Sequence, residues 1–351
     1  MDLPLSTTAV NVRIIDAARV FVPNIFVNRP IKGHESLDAP SHSFLIEHPS
    51  GRRVLFDLSV RKDLQNLPPV IQGFFKETEE MPAMGATVEK DVHDVLGENG
   101  VDPKSIEAII WSHWHWDHIG DPSKFDPSTA LIVGPGFKQT FVPGFPENPD
   151  GLILETDYTG RELRELDFEG EDTVKIGGFD ALNYFGDGSF YILDGAGHSV
   201  GHLCALATTT TSPQSFILMG ADACHHSGEM RPSKWHPLPS EIHPHPLQPE
   251  VSVPCPGSLF EHLLRDSNKT FPFYQKKRPG MPLSDVDAAD RTLIKLQEVD
   301  AKSNVFVVIA HDSHLRDVID VFPQSANDFM AKGWHHKTRW TFLSDFKNAL
   351  K

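Results

Sequence analysis

Residues 113–118 read His113-Trp114-His115-Trp116-Asp117-His118, and no other six residues restrict the fold of this chain as much. Three imidazoles and a carboxylate in so short a run are difficult to account for as packing. The run follows an apolar stretch, Ile106 to Trp111, that reads as a buried strand. The histidines then sit on the loop leaving that strand, at one end of a sheet. Neutral imidazole nitrogen and carboxylate oxygen suit zinc and similar borderline cations. Along an extended segment alternate side chains share a side, so His113 and His115 point together. Asp117 and His118 follow where the chain turns, and one motif can feed two adjacent cation positions.

Further ligands are then expected after other strands. SFYILDGAGHSVGH carries His198 on a glycine-rich turn, SFILMGADACHH carries Asp222, and NVFVVIAHDSH carries His311. Each time an apolar strand finishes, small residues let the backbone turn, and one ligand-type residue follows. Loops at converging strand ends are where a rigid sheet presents chemistry.

HWHWDH, GHSVGH, GAD and AHD together resemble the metallo-β-lactamase superfamily, from the hairpin near residue 45 to His311. The resemblance implies an α/β (α+β) fold, a four-layered αβ/βα sandwich with a dinuclear site at one edge. It implies that His113, His115 and His198 hold one metal, that Asp117, His118 and His311 hold a second, and that Asp222 bridges them. The oxygen-reducing di-iron branch has glutamate where this chain has His115, and zinc β-lactamases usually lack either the His118 ligand or the bridging aspartate. The chain is most similar to lactonase-type members through SHSFLIEHPSGRRVLFDL and GHSVGHLCAL. One position departs: quorum-quenching lactonases carry tyrosine three residues after the bridging aspartate, and here that residue is His225. An imidazole also donates a hydrogen bond, with a different reach.

The implied mechanism uses two divalent ions, zinc first with manganese or iron as alternatives, roughly 3.5 Å apart and sharing a hydroxide. The hydroxide attacks a carbonyl carbon, His225 helps to polarise the carbonyl, and Asp117 carries the proton. The expected function is the opening of a small cyclic ester or amide: a lactone, or a γ-lactam of the benzoxazolinone type. The alternatives are a thioesterase, polyketide-releasing or glyoxalase II-like, and a mononuclear iron dioxygenase. Trp116 and Trp235 are expected as walls of a substrate pocket that His225 also faces, with Trp114 packed beneath the motif. His202 is expected to support the turn around His198, and either His225 or His226 to face the pocket. His236, His243, His245, His314, His335 and His336 are expected at the surface.

The remaining sequence sets bounds. The chain has 351 residues and 39% hydrophobic content, enough for a packed core. Its formal charge of −16 repels phosphate backbones, so a small-molecule substrate is expected rather than nucleic acid. Three cysteines without metal spacing fit a reducing compartment, and no apolar run approaches the roughly 20 residues of a membrane span, so a cytoplasmic protein is expected. One domain is expected over 1–351, with a Pro/His-rich insertion or lid at about 228–282; over 228–257 the proline density excludes helix and central strand. An apolar patch in that segment or in FFKETEEMPAM would serve a homodimer. Helices are expected at 87–98, 285–299 and the C-terminal end, and loop over 131–165.

Overall fold

The structure, a computed structural model, describes residues 3–76, 84–278 and 280–350; part of the FFKETEEMPAM segment lies outside them. The first sheet holds β1 (Asn11–Pro23), β2 (Ser36–Glu47), β3 (Arg53–Phe56), β4 (Gly85–Val88), β5 (Ala108–Ile110), β6 (Ala130–Val133) and β7 (Leu163–Glu165), in the order β4-β1-β2-β3-β5-β6-β7. β1, β2 and β3 run antiparallel, with the expected turn at Pro49–Gly51, and β3, β5, β6 and β7 run parallel. The second sheet holds β8 (Thr173–Ile176), β9 (Phe179–Asn183), β10 (Phe190–Asp194), β11 (Leu203–Thr211) and β12 (Gln214–Ala221). A two-residue pair, β13 (Glu241–Ile242) and β14 (Cys255–Pro256), stands apart. β15 (Val305–Ile309) then joins the second sheet parallel to β12, giving the order β15-β12-β11-β10-β9-β8.

Two-residue alternation decides which face each side chain covers. Phe44 and Ile46 of β2, Ala108 and Ile110 of β5, Ile217 and Met219 of β12, and Phe306 and Val308 of β15 meet between the sheets. The opposite face of the first sheet, with Leu45 and Ile109, packs against Ile71, Val92 and Leu96 from short helices. The opposite face of the second, with Phe216, Leu218, Val305 and Val307, packs against Leu293, Leu296 and Val299 of the helix Val286–Asp300. Helix, sheet, sheet, helix is the four-layered αβ/βα sandwich.

Several local expectations need correction. Only Val92–Glu98 of the 87–98 segment is helical, because Thr87 and Val88 extend the edge of the first sheet against Arg19 and Ala18. Residues 131–165 contain most of β6, a short helix Phe137–Phe141 and β7. The C-terminal end forms two short α-helices and then a 3-10 helix, Thr341–Ala349. The Pro/His-rich segment needs no such correction, its apolar residues being packed. Leu238, Ile242, Phe260 and Phe273 share a core with Phe342 and Phe346 of the tail. At its start Arg231 grips Asp300 through Nε at 2.9 Å and Nη2 at 2.6 Å, and donates to the Arg339 carbonyl. Among the described residues no helix is long and apolar enough to cross a membrane.

Candidate metal centre and pocket

β3, β5, β10, β12 and β15 all end on one edge of the sandwich, and each ends at a residue with a polar or charged role. Asp57 follows β3, His113 lies three residues past β5, His198 four past β10, Asp222 directly after β12, and His311 two past β15. The turns are tight. Ala221 sits at φ +43° and Asp57 at φ +60°, left-handed conformations that cost a side chain of order 1–3 kcal/mol each and collect where surrounding structure enforces a geometry. Gly197, at φ +128°, lies so close to the helix Val286–Asp300 that a Cβ would stand 2.0 Å from the Ala289 nitrogen.

The seven residues expected as ligands converge in two groups. His113 Nε2 and His198 Nε2 lie 2.9 and 3.0 Å from His115 Nδ1. Asp222 turns Oδ2 toward that group, 3.7 Å from His113 and 3.5 Å from His198. Its other oxygen, Oδ1, faces His118 Nε2 at 3.2 Å and His311 Nε2 at 3.1 Å, with Asp117 Oδ2 3.5 Å from His311. One carboxylate therefore stands between two ligand groups, an oxygen to each.

Hydrogen bonds behind the rings show whether the site suits a cation. Asp57 Oδ2 accepts from His118 Nδ1 at 2.9 Å and from Ser112 Oγ at 2.8 Å, and that hydroxyl can in turn accept from His113 Nδ1 at 3.0 Å. His311 Nδ1 donates to the Pro40 carbonyl at 2.8 Å. With hydrogen on each Nδ1, the Nε2 atoms keep bare lone pairs directed at the centre, the tautomer a metal requires. Among the described residues His118 Nε2 and Asp222 Oδ1 have no hydrogen-bond partner, and both are buried. Burial and neighbouring imidazoles push His113 well below its ordinary value, and burial brings His115 to about 4, so both stay neutral near pH 7. Burial also opposes a charge on His118, but Asp222 and Asp57 outweigh it and call for positive charge there. These residues fit divalent cations. His202 holds the frame: its Nδ1 donates to the Gly195 carbonyl at 2.8 Å, and its Nε2 accepts the Asp222 amide at 3.2 Å.

Asp57 was missed in the sequence, although it ends an apolar strand as the other site carboxylate does. Replacing it with asparagine removes the anion that keeps His118 and Ser112 in place. The expected result is a loss of metal affinity of about 10- to 100-fold, measured by chelator competition.

A second cluster of histidines, His34, His226 and His314 around Asp345, is built differently. His226 Nδ1 accepts the Gly228 amide at 3.0 Å, which leaves its hydrogen on Nε2, donated to Asp345 Oδ2 at 3.1 Å. His314 Nε2 donates to the same oxygen at 2.8 Å, and His34 Nε2 lies 3.7 Å from it. Asp345 Oδ2 thus accepts two N–H donors, and the carboxylate ties the His226 and His314 segments to the tail as a hydrogen-bonded clasp. His314, expected at the surface, is largely buried in it.

A cavity of about 230 Å³ opens over the centre. Its floor holds His115, Asp117, Asp222, His225 and His311, and its walls are apolar, among them Phe26, Trp114, Trp116, Leu152 and Met281. No lysine or arginine lines it among the described residues. Trp116 stands where expected, edge-on to Phe75 with ring centres 5.0 Å apart. Trp114 lines the cavity as well, where packing beneath the motif was expected. Trp235 does not: the grip of Arg231 on Asp300 turns the chain away, and Trp235 lines a separate groove beneath the Lys234 ammonium. Of the Pro/His-rich segment and its continuation, Met281, Pro282 and Leu283 reach the cavity. His236 packs on Trp340 and His335 is half-buried beside Arg339, whereas His243 and His336 are exposed.

His225 faces the cavity and His226 faces away. The His225 ring stacks on Phe26 with centres 3.8 Å apart, and its Nε2 lies 3.3 Å from Asp222 Oδ2. Burial works against a charge on this ring, but Asp222 and Glu229 outweigh it and hold its pKa up at about 9. Cys204 and Cys224 are buried and their thiols pushed up, so neither offers a thiolate.

Comparison with known proteins agrees with this geometry. Residues 38–209 match the family model of the metallo-beta-lactamase superfamily. The chain is 46% identical to Gamma-lactamase FDB1 of Fusarium pseudograminearum (strain CS3096), over 98% of this chain and 84% of that protein. It is 44% identical to cytochrome P450 monooxygenase mpaDE' of Penicillium brevicompactum over 100% of its own length, but spans only 39% of that protein. A solved N-acyl homoserine lactone hydrolase, with N-hexanoyl-L-homoserine at its catalytic metal center, shares the fold with a TM-score of 0.55 and 17% identity, covering 91% of this chain and 100% of that one. Histidines at the strand ends, a carboxylate standing between two groups of them and sequence likeness agree: the chain belongs to the metallo-β-lactamase superfamily.

Proposed function

We propose that this protein hydrolyses a small, uncharged cyclic ester or amide, a lactone or γ-lactam carried on a flat apolar body. The observation that carries the reading is the placement of Asp222, with one oxygen toward each ligand group, at the floor of a cavity whose walls are apolar and uncharged. The 46% identity to a protein named gamma-lactamase supports the same reaction class. His113, His115 and His198 would hold one divalent ion, Asp117, His118 and His311 a second, and Asp222 both, with zinc the best match to nitrogen and carboxylate donors. Such a pair lowers the pKa of water toward neutrality and polarises a carbonyl oxygen.

The protein's own part is orientation, exclusion of water and proton handling. Trp114, Trp116 and Leu152 offer faces and edges to a planar ring and shield the floor from bulk solvent. Carboxylates beyond both ring nitrogens of His225 favour a hydrogen on each, so Nε2 can donate to the carbonyl oxygen of a ring on the floor. Asp117, beside His311 at the opening of the centre, would accept the proton of the attacking water and deliver it to the leaving oxygen or nitrogen.

The test is a mass-spectrometric screen of the zinc-loaded protein on aliphatic lactones, aromatic lactones, benzoxazolinone-type lactams and acyl thioesters. Gain of one water by a ring substrate supports the reading, and turnover of thioesters alone overturns it. Trp116→Ala is expected to raise KM for aromatic substrates about tenfold, with little effect on aliphatic ones, in steady-state kinetics.

A further inference from the structure

The ring of His225 is held from behind by a group that no part of the metal centre needs. We propose that Glu229, fixed by Lys276, is the positioning residue for His225, setting the ring so that Nε2 looks into the cavity and Nδ1 looks away from it. The inference rests on the reading of His225 as a donor to the substrate carbonyl.

The stack on Phe26 fixes the plane of the imidazole at 7° to the phenyl ring, but a stack is nearly indifferent to a half-turn about the Cβ–Cγ bond, which leaves that plane unchanged. Something at the rim must distinguish the nitrogen edge from the carbon edge. Glu229 Oε1 lies 3.7 Å from His225 Nδ1, and the same oxygen accepts the backbone N–H of His225 at 2.8 Å. One carboxylate oxygen therefore fixes where the residue is attached and attracts one particular edge of its ring. A half-turn would place carbon against the anion and carry Nδ1 to the other side.

The anion is itself held. Lys276 Nζ lies 3.3 Å from Glu229 Oε2 and donates to the Ala223 carbonyl at 2.9 Å. Lysine and glutamate thus clamp the loop between Asp222 and His225 at both ends, one on the carbonyl after Asp222 and the other on the amide of His225. Glu229 is 1% exposed, and burying an ion pair costs more than filling the same space with a neutral side chain. Among the described residues neither ring nitrogen of His225 has a hydrogen-bond partner, and Nε2, 3.3 Å from Asp222 Oδ2, keeps its hydrogen for a group entering the cavity.

The experiment compares the zinc-loaded parent with Glu229→Gln, Glu229→Leu, His225→Ala and the double variant Glu229→Gln/His225→Ala. Glutamine keeps the size and the acceptor for the His225 amide and removes the charge. Metal content and thermal midpoint are measured for each, then kcat and KM on a ring substrate. Positioning predicts that Glu229→Gln keeps its full metal content and KM within about twofold while kcat falls about tenfold, and that the double variant is no slower than His225→Ala. A purely structural glutamate predicts that glutamine is harmless and leucine damaging. A further readout needs no substrate: the imidazole 15N resonances of His225 in histidine-labelled protein should change in Glu229→Gln. A changed spectrum without turnover of any ring substrate would place the failure in the proposed reaction and leave the positioning intact. An unchanged spectrum, or a full additional loss in the double variant, would overturn the inference.

Discussion

Replacing Asp222 by alanine is expected to lower kcat/KM for ring opening by about three powers of ten or more. The residue faces both groups of candidate ligands, with Oδ1 on the side of His118 and His311 and Oδ2 on the side of His113 and His198. Charge stabilisation by bound cations contributes several kcal/mol to a transition state, and each 1.36 kcal/mol is a factor of ten. Alanine also leaves several buried imidazoles without their shared carboxylate, so metal content should fall together with rate. Elemental analysis of the purified variant checks this. A variant that keeps two metals per chain and most of its activity would remove Asp222 from the bridging role.

Asp300→Ala is expected to produce the largest loss of stability, about 3–5 kcal/mol, measured by denaturant unfolding at pH 7. Asp300 is 2% exposed and accepts both arms of the Arg231 guanidinium, while Arg339 donates to its backbone carbonyl. Removing one member of a buried pair strands the other charge, and that uncompensated charge accounts for the cost. The pH dependence has a definite sign. Burial alone would raise the Asp300 carboxyl, but Arg231 and Arg339 outweigh it and hold it below the ordinary carboxylate value. A carboxylate depressed in the folded state contributes stability above its unfolded pKa, and that contribution is lost as pH falls through the folded value. The gap between parent and variant should therefore be widest at neutral pH and close in strong acid. A gap independent of pH would mean that alanine acts through packing instead.

The convergence of the candidate ligands was legible because their pattern is short-range. An apolar strand, a small-residue turn and one ligand-type residue recur at His113, His198, Asp222 and His311, and each unit can be read without knowing where the others lie. The supporting residues carry no such pattern. Glu229, Lys276 and Asp345 are single charges in ordinary stretches, and only the folded chain shows that each lies against an imidazole or a carboxylate. Trp235 was misplaced for the same reason. Proline density identified an irregular segment correctly, but the direction in which it leaves the site is set by Arg231 meeting Asp300, 69 positions later. The misread helix at 87–98 has a different cause: Thr87 and Val88 continue an apolar pattern, and pairing with β1 overrode it.

His225 and His226 are neighbours in the chain, and their rings look in opposite directions, the backbone of His226 being extended. The first forms part of the cavity floor, and the second is fastened to Asp345 near the chain's end. The tail and the pocket are thus two sides of one wall a single residue thick. A change in the last dozen positions can therefore shift the loop that carries His225 without altering any residue that lines the cavity.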